Sequence, residues 1–213
     1  MIRRTVTVII IAAVALTANV ALAKDQGTGA APVWAGSVYA FSHEAPTTNF
    51  ASQAVIGLGY EMVGAMSKGS HWGWAIGGGY GIGGLKDEST SGSFSTTAQS
   101  TLTFYELRLG FDYYDDCCDE DWYCGPGFFY SSTNQTFKQT GNPDVKFDPV
   151  REYGFDPRIG GSMKLSDSLR LFGSTSMRIG YSSWDDKLTP GSESKLTGWR
   201  FDPTWRGGLS IKY

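Results

Sequence analysis

The chain has 213 residues, a formal net charge of −3, 28 glycines and 14% aromatic residues. Glycine and aromatic residues without long apolar runs favour many short, tightly packed strands and disfavour a helical bundle. The weakly acidic balance provides no basic patch, so we expect no nucleic-acid partner.

The amino-terminal residues predict a secretory signal peptide. Arg3 and Arg4 precede an uncharged stretch, residues 5–23, which closes on the small-x-small signal Ala21-Leu22-Ala23. We therefore divide the chain into a signal peptide, residues 1–23, and one domain, residues 24–213. Without Arg3 and Arg4, the 18 basic residues fall to 16 against 21 acidic ones, a formal charge of −5. The domain contains no apolar stretch long enough for a membrane-spanning helix.

Eight segments of the domain predict strands, most of them by alternation of apolar and polar residues. The second segment is clear, because Ile56, Leu58 and Tyr60 share one face. The third carries bulky residues on one face and mostly glycine on the other. Apolar residues occupy both faces of the first and fifth segments. The eight segments are residues 34–42, 54–65, 71–83, 101–114, 122–132, 152–165, 168–181 and 199–213.

The connections between these segments alternate in length. Those after strands one, three, five and seven are long, and the last three are loops at 84–99, 134–151 and 182–198. Those after strands two, four and six are short. If both termini lie at one end, all short turns share that end, as in bacterial outer-membrane barrels. Aromatic residues lie near the predicted strand ends, where aromatic girdles occur, namely Trp72, Tyr113, Trp122, Tyr181, Trp199 and Tyr213.

The last eight residues alternate in the same way and resemble the carboxyl-terminal assembly signal of bacterial outer-membrane β-barrels. Arg206, Gly208, Ile211 and Tyr213 stand at the positions of that signal, although many family members end in Phe. The domain as a whole resembles the small eight-stranded outer-membrane proteins of the OmpA/OmpX type. The resemblance implies an all-β fold, an eight-stranded antiparallel up-and-down transmembrane barrel, located in the bacterial outer membrane. It implies outer-membrane lipid and the barrel-assembly machinery as partners.

Alternation alone does not determine which face is internal. A soluble, lipocalin-like barrel would enclose the apolar face, whereas a membrane barrel would enclose the charged one. We interpret the charged face as the lumen, which eight strands make just wide enough for side chains to fill. Charges buried there require partners. This predicted lumen network comprises Glu106, Arg108, Asp156, Arg158, Arg178, Asp202 and Arg206, with Glu61 and Arg170 on the same face.

Hairpin symmetry predicts one contact set within the network. A hairpin centred on Asp167 places Asp156 opposite Arg178, and one centred on residue 190 places Arg178 opposite Asp202. We therefore expect a cross-strand cluster of Asp156, Arg178 and Asp202 near the outer end of the barrel, where it would help to fill the lumen. Pro157 and Pro203 follow the two aspartates and lack an N–H, so each predicts a bulge or a ladder break.

The three cysteines lie around a short acidic turn. Export would place them in an oxidising compartment. Because adjacent cysteines rarely bond to each other, we expect Cys117 or Cys118 to bridge to Cys124 and the third to remain unpaired. Their spacing is not that of a zinc site, and the sequence predicts no metal and no other cofactor.

Catalysis has little support in the sequence. Ser42, His43 and Glu44 are contiguous, and alternation places His43 on the face opposite the other two. We predict a non-enzymatic barrel with a charged, plugged lumen, acting as a structural protein or as a surface-interaction protein of the adhesin or immune-contact type through its long loops. The alternatives are a narrow, porin-like channel and a secreted soluble ligand-binding barrel. A lipid A-modifying barrel enzyme is the least favoured.

Overall fold

A computed structural model describes residues 34–47, 52–91, 94–117, 120–186 and 194–212. Its regular structure consists of eleven antiparallel strands. In these ranges no helix is long and apolar enough to cross a membrane. The strands are β1 Trp34–Pro46, β2 Ser52–Ala65, β3 Trp72–Ser91, β4 Phe94–Cys117, β5 Glu120–Gly125, β6 Gly127–Gln139, β7 Val145–Lys146, β8 Val150–Phe155, β9 Arg158–Lys164, β10 Leu169–Asp186 and β11 Ser194–Lys212.

The strands form a closed barrel with eight positions around its wall, each of which we call a stave. Some staves consist of two consecutive strands. Pro126 separates β5 from β6, which form one stave, and Asp156 and Pro157 separate β8 from β9, which form another. The two residues of β7 pair only with β6. Each stave is antiparallel to the next in chain order, and β11 pairs with β1, which closes the sheet. The predicted eight-stranded up-and-down barrel is confirmed, whereas the predicted signal peptide lies outside the described residues.

The strand ladders give the stagger of the barrel. Tyr39 pairs with Gly208 of the neighbouring strand β11. Following the paired residues from Tyr39 around the barrel in the other direction, strand by strand, leads back to β11 at Gly198. Gly198 lies ten residues before Gly208, and this difference is the stagger of the barrel. A stagger of this size requires strands tilted by about 40° to the barrel axis. The row runs through Tyr39, Gly59, Gly79, Glu106, Ser131, Glu152, Ser182 and Gly198.

The two faces of the sheet differ in polarity. Large apolar side chains point outward, and Leu107 and Phe201 are 66% and 67% exposed. The charged side chains of the opposite parity are buried inside the barrel, including Glu106 and Arg178. The soluble alternative, with an apolar interior, is therefore wrong. An apolar surface that encircles the molecule is far larger than the patches that soluble monomers expose.

Aromatic rings edge the outward apolar surface at two levels. At the end of the short turns, Trp72 contacts Tyr113, with ring centroids 5.4 Å apart. Towards the other end, ladder partners form the row Tyr130, Tyr153, Tyr181 and Trp199, and Tyr80 pairs with Tyr105. Tyr105 and Tyr113 lie eight positions apart on β4, roughly 27 Å along the strand. A tilt of about 40° makes this roughly 20 Å along the axis, near the height of the apolar band of membrane barrels.

The predicted long loops are in large part strands. β3 and β4 remain paired as far as Ser91 and Phe94, and β10 and β11 as far as Asp186 and Ser194. β6 likewise continues to Gln139. Loops 84–99, 134–151 and 182–198 were therefore predicted too long. Polar residues predominate in these segments, mainly Ser and Thr in the β3–β4 hairpin, and no apolar face continues through them. Their pairing therefore depends on backbone hydrogen bonds that hydrophobic alternation does not reveal.

The two prolines behave differently. Pro157 lies in the break between β8 and β9, as predicted, and its carbonyl accepts a 3.2 Å hydrogen bond from the Met177 amide. Pro203 does not interrupt β11, but one ladder of that strand ends beside it, as predicted. Pro203 pairs with Met177 on one side, whereas the ladder to β1 ends at Thr204, the residue that follows the proline. The missing N–H therefore coincides with the end of one ladder only.

Glycines on the lumen face of β2 and β3 make room for aromatic rings. A Cβ added at Gly59 would clash with the Tyr39 ring, and one added at Gly79 would lie 2.8 Å from the Phe41 ring. Tyr39 and Phe41 are each 2% exposed and form part of a buried apolar cluster. The cluster is completed by Ala45, Val55, Leu102, Phe104 and Phe172. It borders the charged groups, since the Arg178 guanidinium lies 5.8 Å from the centre of the Phe104 ring.

We expect Gly59→Val to lower the free energy of unfolding by about 1–3 kcal/mol, because the new methyl groups would overlap the Tyr39 ring. Urea-induced unfolding in detergent measures this change. The double variant Gly59→Val with Tyr39→Ala should recover part of the loss, because the smaller side chain leaves room for valine. A loss that the second substitution does not reduce would contradict this account of the glycine.

Candidate functional site

The middle of the lumen contains an arginine held by two carboxylates. Arg158 Nε donates to Asp112 Oδ1 at 2.9 Å, and its Nη2 bonds the other oxygen of Asp112. Arg158 Nη1 donates to Glu61 Oε2 at 2.6 Å. The three side chains are at most 9% exposed. A planar guanidinium suits this arrangement, since its donors point in fixed directions.

A second group lies beside the first and shares Glu61 with it. Arg108 Nε and Nη2 donate to Asp156 Oδ2 at 2.8 and 2.7 Å, and Arg206 Nη2 donates to the same oxygen at 3.2 Å. Arg108 Nη1 lies 3.6 Å from Glu61 Oε2. The two groups together form what we call the central network, and its charges balance. Its members are Glu61, Arg108, Asp112, Asp156, Arg158 and Arg206.

Two more ion pairs lie farther from the short turns. Arg178, fully buried, pairs with Glu106, and its guanidinium lies 4.5 Å from the centre of the Phe129 ring. Arg200 pairs with Asp202, with Nε 3.0 Å from Oδ2 and Nη2 3.1 Å from Oδ1. Within the described residues, charged groups and the aromatic cluster together occupy much of the lumen.

The predicted registers agree with the structure, but the predicted contacts do not. Arg178 pairs with Asp202 in the β10–β11 ladder. The ladders on both sides of Asp156 have the register that places it opposite Arg178. The ion pair of Arg178, however, is with Glu106 on β4, across the lumen. An arginine side chain is long enough to span this narrow interior, so the neighbouring strand does not determine its partner.

The chain has the fold of a small bacterial outer-membrane β-barrel. It is similar to the outer membrane protein OprG from Pseudomonas aeruginosa, at 13% identity and a TM-score of 0.53, with 88% of this chain and 98% of that chain covered. Neisserial surface protein A has 12% identity, a TM-score of 0.48 and coverage of 88% and 100%. Ail of Yersinia pestis has 10% identity and a TM-score of 0.48, with 87% of this chain and 100% of that chain covered. No protein-family model and no curated protein matches the chain.

Three buried charged residues of the lumen were missing from the predicted network. They are Asp112, Glu152 and Arg200. Each alternates in phase with a residue that the prediction included: Asp112 with Arg108, Glu152 with Asp156, and Arg200 with Asp202. Strand parity therefore contained the signal that would have identified them.

Two residues of the predicted assembly signal have clear structural roles. Arg206 is a lumen residue that donates to Asp156 and, at 3.1 Å, to Ser176 Oγ. Gly208 lies against the backbone of Val38, and a Cβ there would overlap the Val38 carbonyl oxygen. Ile211 is 8% exposed, and Tyr213 lies outside the described residues. Recognition by an assembly machinery remains a prediction.

The predicted disulfide does not form between Cys117 and Cys124. Cys117 pairs with Glu120, whereas Cys124 pairs with Tyr113, four positions farther along the ladder. This offset is roughly 13 Å, too far for a disulfide. Cys124 is free and exposed, and Cys118 lies outside the described residues. Pairing fails because β4 and β5 continue almost to the end of the turn and separate the two positions.

The two histidines occupy different environments. His43 is buried, and its Nδ1 lies 3.3 Å from Thr204 Oγ1. Ser42 and Glu44 point outward, so these three contiguous side chains do not converge. His71 lies in a short turn and stacks on Tyr113, with ring centroids 5.6 Å apart. Among the residues that the structure describes, neither histidine forms a Ser-His-acid arrangement of the kind that hydrolysis uses.

Proposed function

We propose that this protein is a non-conducting outer-membrane barrel that anchors extended hairpins outside the cell, where they form a surface for binding. The single observation that carries the proposal is the filled lumen. Buried ion pairs and aromatic rings leave the outer surface and the hairpins as the parts through which the protein can act. Outer-membrane lipid would surround the apolar face, and the barrel-assembly machinery would insert the chain.

The hairpins support a role at the surface. From the pair Tyr80 and Tyr105, the β3–β4 ladder continues for eleven residues on each strand, to Ser91 and Phe94. This is roughly 36 Å of strand beyond the aromatic row. A purely structural barrel would not need such an extension. We assign this end of the barrel to the exterior, because membrane barrels place their longer connections there.

Surface labelling tests this orientation. An epitope inserted between residues 92 and 93 should bind antibody on intact cells, whereas an epitope inserted at residue 167, in a short turn, should bind only after permeabilisation. The same insertion at the two ends controls for tag accessibility. Labelling of intact cells only through residue 167 would reverse the orientation and remove the surface role of the hairpins.

We expect the purified barrel to give no resolved current steps in a planar lipid bilayer, because the central network and the aromatic cluster occupy its interior. A larger porin in the same bilayer controls for insertion and recording. Reproducible single-channel steps from the folded protein, lost after boiling, would contradict the proposal and favour the narrow channel instead.

A further inference from the structure

Glu152 is a buried carboxylate to which the contacts described above assign no partner. It is fully buried, and neither of its carboxylate oxygens accepts a hydrogen bond among the described side chains. Its ladder partners on the two adjoining strands are Ser131 and Ser182. Both hydroxyls are also buried. That of Ser182 forms no hydrogen bond within the described residues, and that of Ser131 lies close enough to Glu152 to favour its charged form. Three oxygen-bearing side chains with unused capacity therefore lie side by side on the lumen wall.

The charges around Glu152 do not balance. The central network has three arginines and three carboxylates. In the layer beyond it, Arg178 pairs with Glu106 and Arg200 pairs with Asp202. The negative charge of Glu152 therefore has no arginine of its own. Arg178 and Arg200 are the cationic groups that act on Glu152 most strongly. Each already pairs with another carboxylate, although Nε and Nη1 of Arg178 donate no hydrogen bond within the described residues. His43, the remaining titratable side chain of this layer, contacts Thr204. Counted over the described side chains, the layer thus has a net charge of −1 with His43 neutral.

A lone buried carboxylate is unstable, so a positive charge is expected beside it. Carboxylate and hydroxyl oxygens are hard ligands, which suit alkali and alkaline-earth cations. One carboxylate neutralises a single charge and lacks the several acidic ligands of calcium sites. In the described ranges, no three His, Cys, Asp or Glu side chains form a group that could hold a metal ion. These features favour a monovalent ion over a divalent or transition metal.

We propose that Glu152, Ser131 and Ser182 form a binding site for an alkali-metal cation, sodium or potassium, at the outer end of the lumen. The three residues belong to β6, β8 and β10, so one ion would connect three staves of the barrel. The site lies at the level of the row Tyr130, Tyr153, Tyr181 and Trp199. A bound ion would therefore stabilise the barrel where it leaves the membrane.

Thermal unfolding in detergent tests the site with three salts: sodium chloride, potassium chloride and choline chloride at equal ionic strength and fixed pH. The folded and unfolded bands are separated on a gel. For the unaltered protein, we expect sodium or potassium to raise the midpoint above its value in choline, with saturation as the ion concentration increases. Choline is too large for the site and serves as the control for ionic strength.

Three variants locate the effect. Glu152→Gln should unfold at one midpoint in all three salts, whereas Glu44→Gln, which removes an exposed carboxylate, should keep the difference. Replacing both Ser131 and Ser182 with alanine should raise the ion concentration for half of the shift tenfold or more.

Equal midpoints of the unaltered protein in the three salts would overturn the proposal, even if Glu152→Gln fails to fold. Midpoints that are equal in the three salts but change with pH as expected for the uptake of one proton would also overturn it. They would show that a proton, and not a metal ion, neutralises Glu152. A salt-specific difference that persists in Glu152→Gln would place the ion elsewhere.

Discussion

Replacing Arg158 with methionine is expected to lower the free energy of unfolding by about 3–5 kcal/mol, the cost of leaving buried carboxylates without their counter-charge. Arg158 bonds both oxygens of Asp112 and one of Glu61, and all three side chains are buried. Methionine fills a similar volume but neutralises neither acid. Urea titration of the detergent-folded barrel, followed by tryptophan fluorescence, gives the change directly.

A matched variant separates charge from packing in this prediction. Adding Asp112→Asn and Glu61→Gln to Arg158→Met removes the unpaired charges while keeping the side-chain sizes close to the original. We expect the triple variant to recover most of the stability, because neutral amides are much less costly to bury than lone carboxylates. A triple variant as unstable as Arg158→Met would show that packing, and not charge pairing, stabilises the plug.

Leu107→Arg is expected to lower the stability of the membrane-inserted barrel by about 2–4 kcal/mol, since Leu107 lies on the outward face between the aromatic rows. Its side chain is 66% exposed, so a soluble protein would tolerate arginine there with a change within about 0.5 kcal/mol. The size of the stability change therefore shows whether lipid or water surrounds the apolar face. Unfolding from lipid vesicles measures it.

Asn134→Arg provides the control for Leu107→Arg. Asn134 is exposed on β6 and pairs with Thr103, beyond the row of Tyr105, so its side chain lies outside the predicted hydrocarbon layer. We expect a change of about 0–1 kcal/mol, as for cationic residues near a membrane interface. Equal effects of the two substitutions would contradict the placement of the apolar face in lipid.

Much of the barrel was predictable from residue alternation. The clear parity of Ile56, Leu58 and Tyr60 identified a strand, and the sorting of loop lengths indicated an even-numbered up-and-down barrel. Hairpin symmetry gave the correct register for Arg178 and Asp202. These successes share a cause, because the strand period of two and the turn centres are local properties of the sequence.

The contacts inside the lumen were less predictable. Arg178 lies on β10 and its partner Glu106 on β4, strands that are not neighbours in the barrel wall. Register between adjacent strands gives no information on such a pair. The extension of the β3–β4 hairpin was not predicted for a different reason, because its Ser and Thr residues show no apolar alternation. Only the backbone pairing, which continues to Ser91 and Phe94, reveals these parts of the strands.

A closed barrel, folded in the outer membrane with its apolar face in lipid, underlies each of these predictions. Heat-modifiability in the outer-membrane fraction of expressing cells tests this most directly. We predict a band in that fraction whose mobility differs between unboiled and boiled samples, because a closed, hydrogen-bonded barrel resists detergent until it is heated. A heat-insensitive protein in the soluble periplasmic fraction would contradict the account.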